Sequence, residues 1–550
     1  MPALALALGP TGRIVVPPEL RSLPALLTRQ LREQPDRPYF TIEGVTYTYR
    51  QTHEKLRTIA GALAGLGVDM NARVGVLLPN RAAFVFTMFA AAHLGAAIVA
   101  INPEFRGQLL AAALDTAQCK VLIVDDMSAP GVQALQAEAL RGIEAVIHVD
   151  DGLLDLPHAI TQARWSALEK SVCEPPPPAQ TNPGTIQAIS FTSGSTGPAK
   201  GVQITISQAV DVACTYIHAT NLVRDDVLYT PFAFFHGMST RLGLVPALIV
   251  GAHVVIGRRF SPSRYWQEAR DCGATVGQTL PTMTALLKAQ PATEHDRDHT
   301  ITRMYNSRAD EEFERRFGVR LIEAYGMTEI GLVIYSAYPD RRAGAAGRVH
   351  VDWDMQIVDD EDNPVPVGAT GELVFRPKAP WLVSPGYVGA PQATVESWRN
   401  LWFHSGDIGR QDEDGYVYFI DRRKERIRRL GENISSFDVE SIVCGHPDVR
   451  ECAALAYPAS LGEDDVRVVV VKARESELSA GDLYDWLVTM MPKYMLPRYI
   501  EFADSLPRTP TNKIEKYQLK QAGLLPGVWD RDMHRPSRHG RIEERVEAKT

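Results

Sequence analysis

Apolar and polar positions along this chain follow two periods, near 3.6 and near 2, that succeed one another in a regular order. Leu23, Leu26, Leu27 and Leu31 recur at helical spacing, and Pro35 ends the run. Residues 39–49 read as two short strands around Glu43-Gly44, a hairpin signal. A helix is predicted over about 51–66, closed by Gly67, and a short β-rich run over 74–78, closed by Pro79-Asn80. Helices and buried strands then alternate over 84–94, 97–101, 108–117, 121–124, 131–140 and 145–149. Such alternation predicts a parallel sheet with helices on both faces. A second α/β set runs from Ile204 to about Glu323, including a buried run over 244–255. From Ala343 to Phe375 the texture shifts to short strands separated by Asp, Gly and Pro clusters, which reads as a small β-subdomain. Residues 435–525 return to short helices and strands, and 527–550 are polar and charged.

Length and composition narrow the class. At 550 residues the chain exceeds one hydrophobic core, so two or more domains are expected. It is 45% apolar and 23% charged, ordinary for a globular protein. A net charge of −8 argues against general nucleic-acid binding. Six scattered cysteines form no Cys-x-x-Cys pair, which suggests neither a zinc site nor a disulfide framework and fits a reducing cytoplasm. Residues 1–8 are apolar without a basic start, so a signal peptide is not expected. The most apolar run, 84–101, carries His93 and Gly95 and reads as a buried helix and strand, not a membrane span. The prolines of 174–179 read as an extended connector.

The chemistry begins at Ile189. A strand there dissolves into Thr192-Ser193-Gly194-Ser195-Thr196-Gly197-Pro198-Ala199-Lys200-Gly201. Such a loop offers backbone N–H groups, hydroxyls and one ammonium, the groups that wrap a polyphosphate. The spacing is not that of a Walker loop. Three further stretches follow in order: Tyr325-Gly326-Met327-Thr328-Glu329; Ser405-Gly406-Asp407 with Asp421-Arg422-Arg423-Lys424; and Pro507-Arg508-Thr509-Pro510-Thr511-Asn512-Lys513. Each is weak alone, since a Thr-Glu pair is often a helix cap, an Arg in a basic run is often solvated, and a loop Lys is usually exposed.

Together these stretches resemble the adenylate-forming superfamily: acyl-CoA synthetases, peptide-synthetase adenylation domains and luciferases. The Arg428–Ser435 words are most similar to the crotonobetaine/carnitine-CoA ligase group. The resemblance implies an α/β fold with a large N-terminal domain over 13–423, made of two parallel α/β subdomains and a small β-subdomain. A small mobile α+β C-terminal lid follows over 424–525, with a charged, disordered tail over 526–550.

It implies a two-step reaction on ATP and a small carboxylic acid. By resemblance, Thr192, Ser193, Gly194, Ser195, Thr196, Gly197 and Lys200 hold the β- and γ-phosphates. Tyr325 and Gly326 lie along the adenine, Thr328 reaches the α-phosphate, and Glu329 binds Mg²⁺. Asp407 and Arg422 hold the ribose. Lys513 bridges the acid and the α-phosphate, stabilising charge in the transition state. Lys424 marks a hinge that would replace the Lys513 loop with the Gly431 segment, which lines the route for CoA. Phe234-Phe235-His236-Gly237 is similar to an aromatic-His gate beside the acid, with Gln278, Thr279, Gly331 and Leu332 as weaker pocket candidates. Asn306, Ser307 and Arg308 stand where the family places a Gly/Ala/Pro loop against the adenine. Arg308 either turns outward, takes part in recognition of an unusual substrate or nucleophile, or signals weakened adenylation.

The leading reading is therefore an AMP-forming acid–CoA ligase in the cytoplasm, without membrane span or nucleic-acid partner, and with a homodimer among the open states of assembly. A ligase passing its acyl group to an amine or a carrier-protein thiol is the alternative, and a silent nucleotide-binding scaffold the third.

Overall fold

A computed structural model describes residues 6–9, 12–192, 200–422, 427–429, 432–434, 436–459, 463–473, 476–507, 514 and 516–534. The chain divides into two compact units: the larger takes residues 1–103, 113–192 and 200–423, and the smaller takes 104–112 and the chain from 424 on.

The larger unit holds three large sheets beside a small two-stranded pair, Ala7–Leu8 with Ile14–Val15. The first has seven strands in the order Lys200–Thr205, Ile186–Thr192, Ala97–Ala100, Arg73–Leu77, Val121–Val124, Ala145–His148, Thr161–Arg164. All its pairings are parallel except the outermost, where Thr192 faces Lys200 in an antiparallel pair. The second sheet runs Arg320–Ile322, Arg303–Tyr305, Val276–Gln278, Val227–Thr230, His253–Ile256, Pro38–Ile42, Val45–Thr48. Its last two strands are the expected hairpin, turned at Glu43 and Gly44, which both take positive φ. Alternation along the sequence does not reveal that this hairpin joins the far edge of the second sheet, because the contact of Pro38–Ile42 with His253–Ile256 is set by tertiary packing. Parallel strands buried on both faces need no polar side, so Val121–Val124 and Ala145–His148 are buried at every position. The helix Ala82–Leu94 is enclosed on nearly every face, which explains its apolar run.

The third sheet is antiparallel, running from Ala324–Met327 to Tyr416–Arg422, and so exceeds the expected β-subdomain of 343–375 at both ends. One expected helix differs. Residues 131–140 form two pieces, Ala129–Gln133 and a 3₁₀ turn Ala137–Leu140, because the Gln136 backbone is extended between them. No helix among the described residues is long and apolar enough to cross a membrane.

The smaller unit packs helices Ser436–Val443, Ala480–Met490 and Lys516–Ala522 with a four-stranded sheet ordered Val449–Pro458, Asp464–Lys472, Tyr499–Phe502, Trp529–Asp530. The last strand and the following turn Arg531–His534 fall in the stretch expected to be a disordered tail. Instead Trp529 pairs with Ile500 and its indole lies 5.2 Å from the Tyr484 ring, so apolar burial carries the fold past Leu525. Residues 535–550 lie outside the described residues.

Asp438, on the first helix of this unit, is buried, and burial pushes its carboxyl up to about 7. In the unfolded chain the group ionises near the ordinary aspartate value. Between those two values the unfolded state alone carries the charge, so its stability relative to the fold grows. We predict that the unit loses stability from about pH 4 to 7 and levels off above, and that Asp438→Asn flattens this slope in urea unfolding of the full chain.

Candidate functional site

The geometry of the larger unit brings most of the sequence-predicted residues onto neighbouring strand ends. Thr192 and Lys200 close the strand pair that brackets the phosphate loop. The Lys200 ammonium lies 4.9 Å from the centre of the Tyr387 ring, and Tyr387 donates its hydroxyl proton to Glu329 Oε1 at 2.9 Å. Burial, and then the adjacent Glu329 charge, raise the Tyr387 pKa, so the phenol stays protonated and remains a donor. Val202 bridges Tyr387, and the Ser384 N–H donates to the Glu329 carbonyl at 2.7 Å, so segment 384–388 joins the phosphate-loop strand to the Glu329 turn.

The helix Ile206–Thr220 follows the strand Lys200–Thr205 and carries Gln208 on its first turn. The Gln208 amide donates to the Thr328 and Glu329 carbonyls at 3.0 and 2.8 Å, fixing both residues to the start of this helix. Gln208 and Tyr387 were not singled out from sequence. Neither belongs to a short motif, and their contacts span 121 and 58 residues.

Tyr325 lies between Phe375 and Phe419, with ring centroids 5.9 and 6.2 Å away, and donates to Asp407 Oδ2 at 2.7 Å. Gly326 is needed where it stands, because a Cβ there would meet the Gly331 carbonyl oxygen at 2.1 Å. Asp407 sits opposite Arg422 in strand register. Its turn is held by Glu372, which accepts from the Gly406 N–H at 2.9 Å and pairs with His404 at 3.1 Å. Burial works to raise the Glu372 pKa, but those partners outweigh it and hold the carboxyl below its ordinary value. Tyr325→Phe removes one hydrogen bond worth about 1 kcal/mol. We predict a roughly fivefold rise in KM for ATP, with kcat changed less, in steady-state assays.

Arg308 lies in the loop of residues 305–310. Its side chain is exposed, and its carbonyl accepts from Asn306 Nδ2 at 2.7 Å. Asn306 Oδ1 is buried and has no hydrogen-bond partner among the described residues, so the loop presents an acceptor with unmet capacity. Ser307 is half-buried beside it. Glu323 anchors the loop by accepting from the Ala309 N–H at 2.9 Å, and burial raises its pKa.

His236 opens the short helix Gly237–Ser239 behind Phe234 and Phe235. Phe234 stacks on Phe84 with centroids 4.5 Å apart. Asn80 pins this loop, donating to the Phe232 and Gly257 carbonyls at 2.8 Å and accepting from the Phe234 N–H at 3.0 Å. Gln278 and Thr279 prove to be frame residues. The Gln278 amide donates to the Leu242 carbonyl at 2.7 Å, and the Thr279 N–H donates to the Tyr305 carbonyl at 2.9 Å. Gly331 and Leu332 are buried in the strand that follows the Glu329 turn.

Arg241, not singled out from sequence, lines a cavity of about 40 Å³ together with Phe84, Phe234 and Phe235. Burial lowers its pKa to about 10, against a smaller opposing effect of Glu329, so it is charged at neutral pH. Ser193, Gly194, Ser195, Thr196, Gly197, Lys424, Gly431 and Lys513 lie outside the described residues.

Comparison with known proteins agrees with this arrangement. The family model for AMP-binding enzymes matches residues 27–388, and that for the AMP-binding enzyme C-terminal domain matches 438–513. A crotonobetaine/carnitine–CoA ligase of Salmonella typhi is 30% identical over 494 residues, covering 87% of this chain and 94% of that protein. Among solved structures, the o-succinylbenzoate CoA synthetase of Bacillus subtilis superposes with a TM-score of 0.77 at 24% identity, covering 92% of this chain and 98% of that one. The amide bond synthetase of Marinactinospora thermotolerans gives 0.76 at 23% identity, covering 90% and 99%. At those identities the structures speak for the fold, whereas the two family models and the curated relative together establish that this chain belongs to the AMP-binding, adenylate-forming enzyme family.

Proposed function

We infer that the protein is an AMP-forming carboxylic acid–CoA ligase. The observation that carries this reading is the Tyr387–Glu329–Gln208 assembly, which ties the strand Lys200–Thr205 and the helix after it to the Thr328-Glu329 turn, with Tyr325 and Asp407 paired within one sheet. In the first step a carboxylate oxygen attacks the α-phosphorus of ATP, and the bond to the β-phosphate breaks to release pyrophosphate. In the second, the sulfur of CoA attacks the acyl carbonyl and AMP leaves.

Both partners in the first step are anions, so the site must hold them in line and offset their repulsion. We assign Thr192, Ser193–Gly197 and Lys200 to the departing pyrophosphate and Thr328 to the α-phosphate. Tyr325, Gly326 and Asn306 flank the adenine, with Ser307 beside it. Arg308 faces outward and leaves room there. Asp407 and Arg422 hold the ribose, and Lys513 carries the main catalytic charge. Mg²⁺ would be held through oxygen at Glu329, a buried carboxylate, and there it would neutralise triphosphate charge. His236 faces the acid. Lys424 acts at the hinge, and the Gly431 segment lines the thiol's route. ATP and CoA as substrates fit a cytoplasmic site of action.

A panel of carboxylic acids tests this reading. Pyrophosphate release should depend on an added acid, and a thioester should form when CoA is present. Acid-dependent pyrophosphate release that yields product only with amines would transfer the reading to an amide synthetase.

A further inference from the structure

The acid is the unnamed partner in this reaction, and the larger unit carries one unusual group near its pocket. Arg241 lies in the π-helical turn Thr240–Leu244, directly after the helix Gly237–Ser239 that His236 opens. Its guanidinium rests against bare backbone. A Cβ on Gly237 would meet Arg241 Nη2 at 2.5 Å, Nε at 2.7 Å and Cζ at 2.9 Å, so only glycine leaves the fork in place. Around it the cavity is walled by Phe84, Met88, Ile98, Phe234 and Phe235. Among the described residues no carboxylate lies within 4.0 Å of this guanidinium. Glu329 influences it only from farther off, and it already accepts from Tyr387.

A half-buried cation in a largely apolar lining, which also holds Gln187, Ser190 and Thr240, is costly when no acid among the described residues pairs with it. A ligand anion removes that cost, and the planar fork of arginine matches a carboxylate in two parallel hydrogen bonds. The reacting carboxylate is a poor candidate for this place, because a bidentate clamp would occupy both of its oxygens and blunt its attack on phosphorus. We propose that Arg241 selects the acid, and that the pocket takes a dicarboxylic acid whose distal carboxylate pairs with the Arg241 guanidinium while the other end is activated.

This rests on the acid–CoA ligase reading and sharpens it. It also sets the chain apart from its curated relatives. Crotonobetaine and carnitine each carry a fixed trimethylammonium group, which a guanidinium in the pocket repels. Conversely, charge complementarity at one position of the pocket discriminates between acids more strongly than an added methylene does.

The test measures binding as well as turnover. Calorimetric titration of the full chain with succinate, glutarate and adipate, against butyrate, valerate and carnitine, reads selectivity without any chemistry. A dicarboxylate is expected to bind roughly 10²-fold more tightly than the monocarboxylate of equal length, as two charge-assisted hydrogen bonds imply. Arg241→Met should bring the dicarboxylate down to the monocarboxylate's level, and Arg241→Glu should shift preference toward carnitine. Equal binding of mono- and dicarboxylates by the unaltered protein overturns the proposal, as does a dicarboxylate preference that survives Arg241→Met. The unaltered protein decides the matter even where a variant fails to fold. Absence of pyrophosphate release with every acid would instead sink the ligase reading, and the titration would still judge the pocket.

Discussion

Replacing Lys513 with Ala is expected to slow acid-dependent pyrophosphate release by roughly 10²–10³-fold, the loss typical when one preorganised charge stabiliser is removed. Conversion of a supplied acyl-adenylate to the thioester should stay within a few-fold of the unaltered rate. The asymmetry follows from where charge develops. In the first half-reaction a carboxylate meets a phosphate and negative charge accumulates between them. In the second the attacked carbon already bears a good leaving group. Single-turnover assays of each half-reaction read the two rates separately, and equal losses in both would remove Lys513 from the role assigned to it.

The second large effect concerns the smaller unit's stability. Arg467 and Glu501 are both almost wholly buried, with side chains only 1% exposed, and they form a bidentate pair with two contacts of 2.9 Å. The remaining amino group of Arg467 donates to the Leu519 carbonyl at 2.8 Å. Removing one partner strands the other charge in the core, at a cost of about 3–5 kcal/mol. Glu501→Ala should therefore lower amide-exchange protection across Val449–Pro458 and Asp464–Lys472 by roughly 10²–10³-fold. The double change Arg467→Met with Glu501→Leu should recover much of that loss, since no charge is left unpaired. A single variant as protected as the unaltered chain would mean that water reaches the pair.

What could be read from the sequence was what is local or carried by a short motif. The leucine spacing at 23–31, the Glu43-Gly44 hairpin and the apolar run of 84–101 each specify an element by periodicity, and each is present as Leu23–Glu33, Pro38–Thr48 and Ala82–Ala100. The site was legible through motif words, which carry Tyr325, Glu329 and Asp407. The residues that hold those words in place were not. Gln208, Tyr387 and Asn80 act through contacts distant in sequence, and an amide or a phenol in mid-chain carries no spacing signal. Arg241 was hidden for the same reason: its meaning depends on which side chains surround it. Arg308 left three outcomes open in the sequence; in the structure its side chain is exposed and its carbonyl accepts from the Asn306 amide. The strand at Trp529–Asp530 escaped because it is two residues long and the charged sequence that follows it dominates the composition of the stretch.

The most direct measurement is a product balance. The full chain, ATP, Mg²⁺, CoA and the best acid of the panel are incubated, and AMP, pyrophosphate and acyl-CoA are quantified together. We predict that the three accumulate in equal amounts, with no ADP. Release of ADP and phosphate, or AMP formed without acid, would contradict adenylate chemistry at this site.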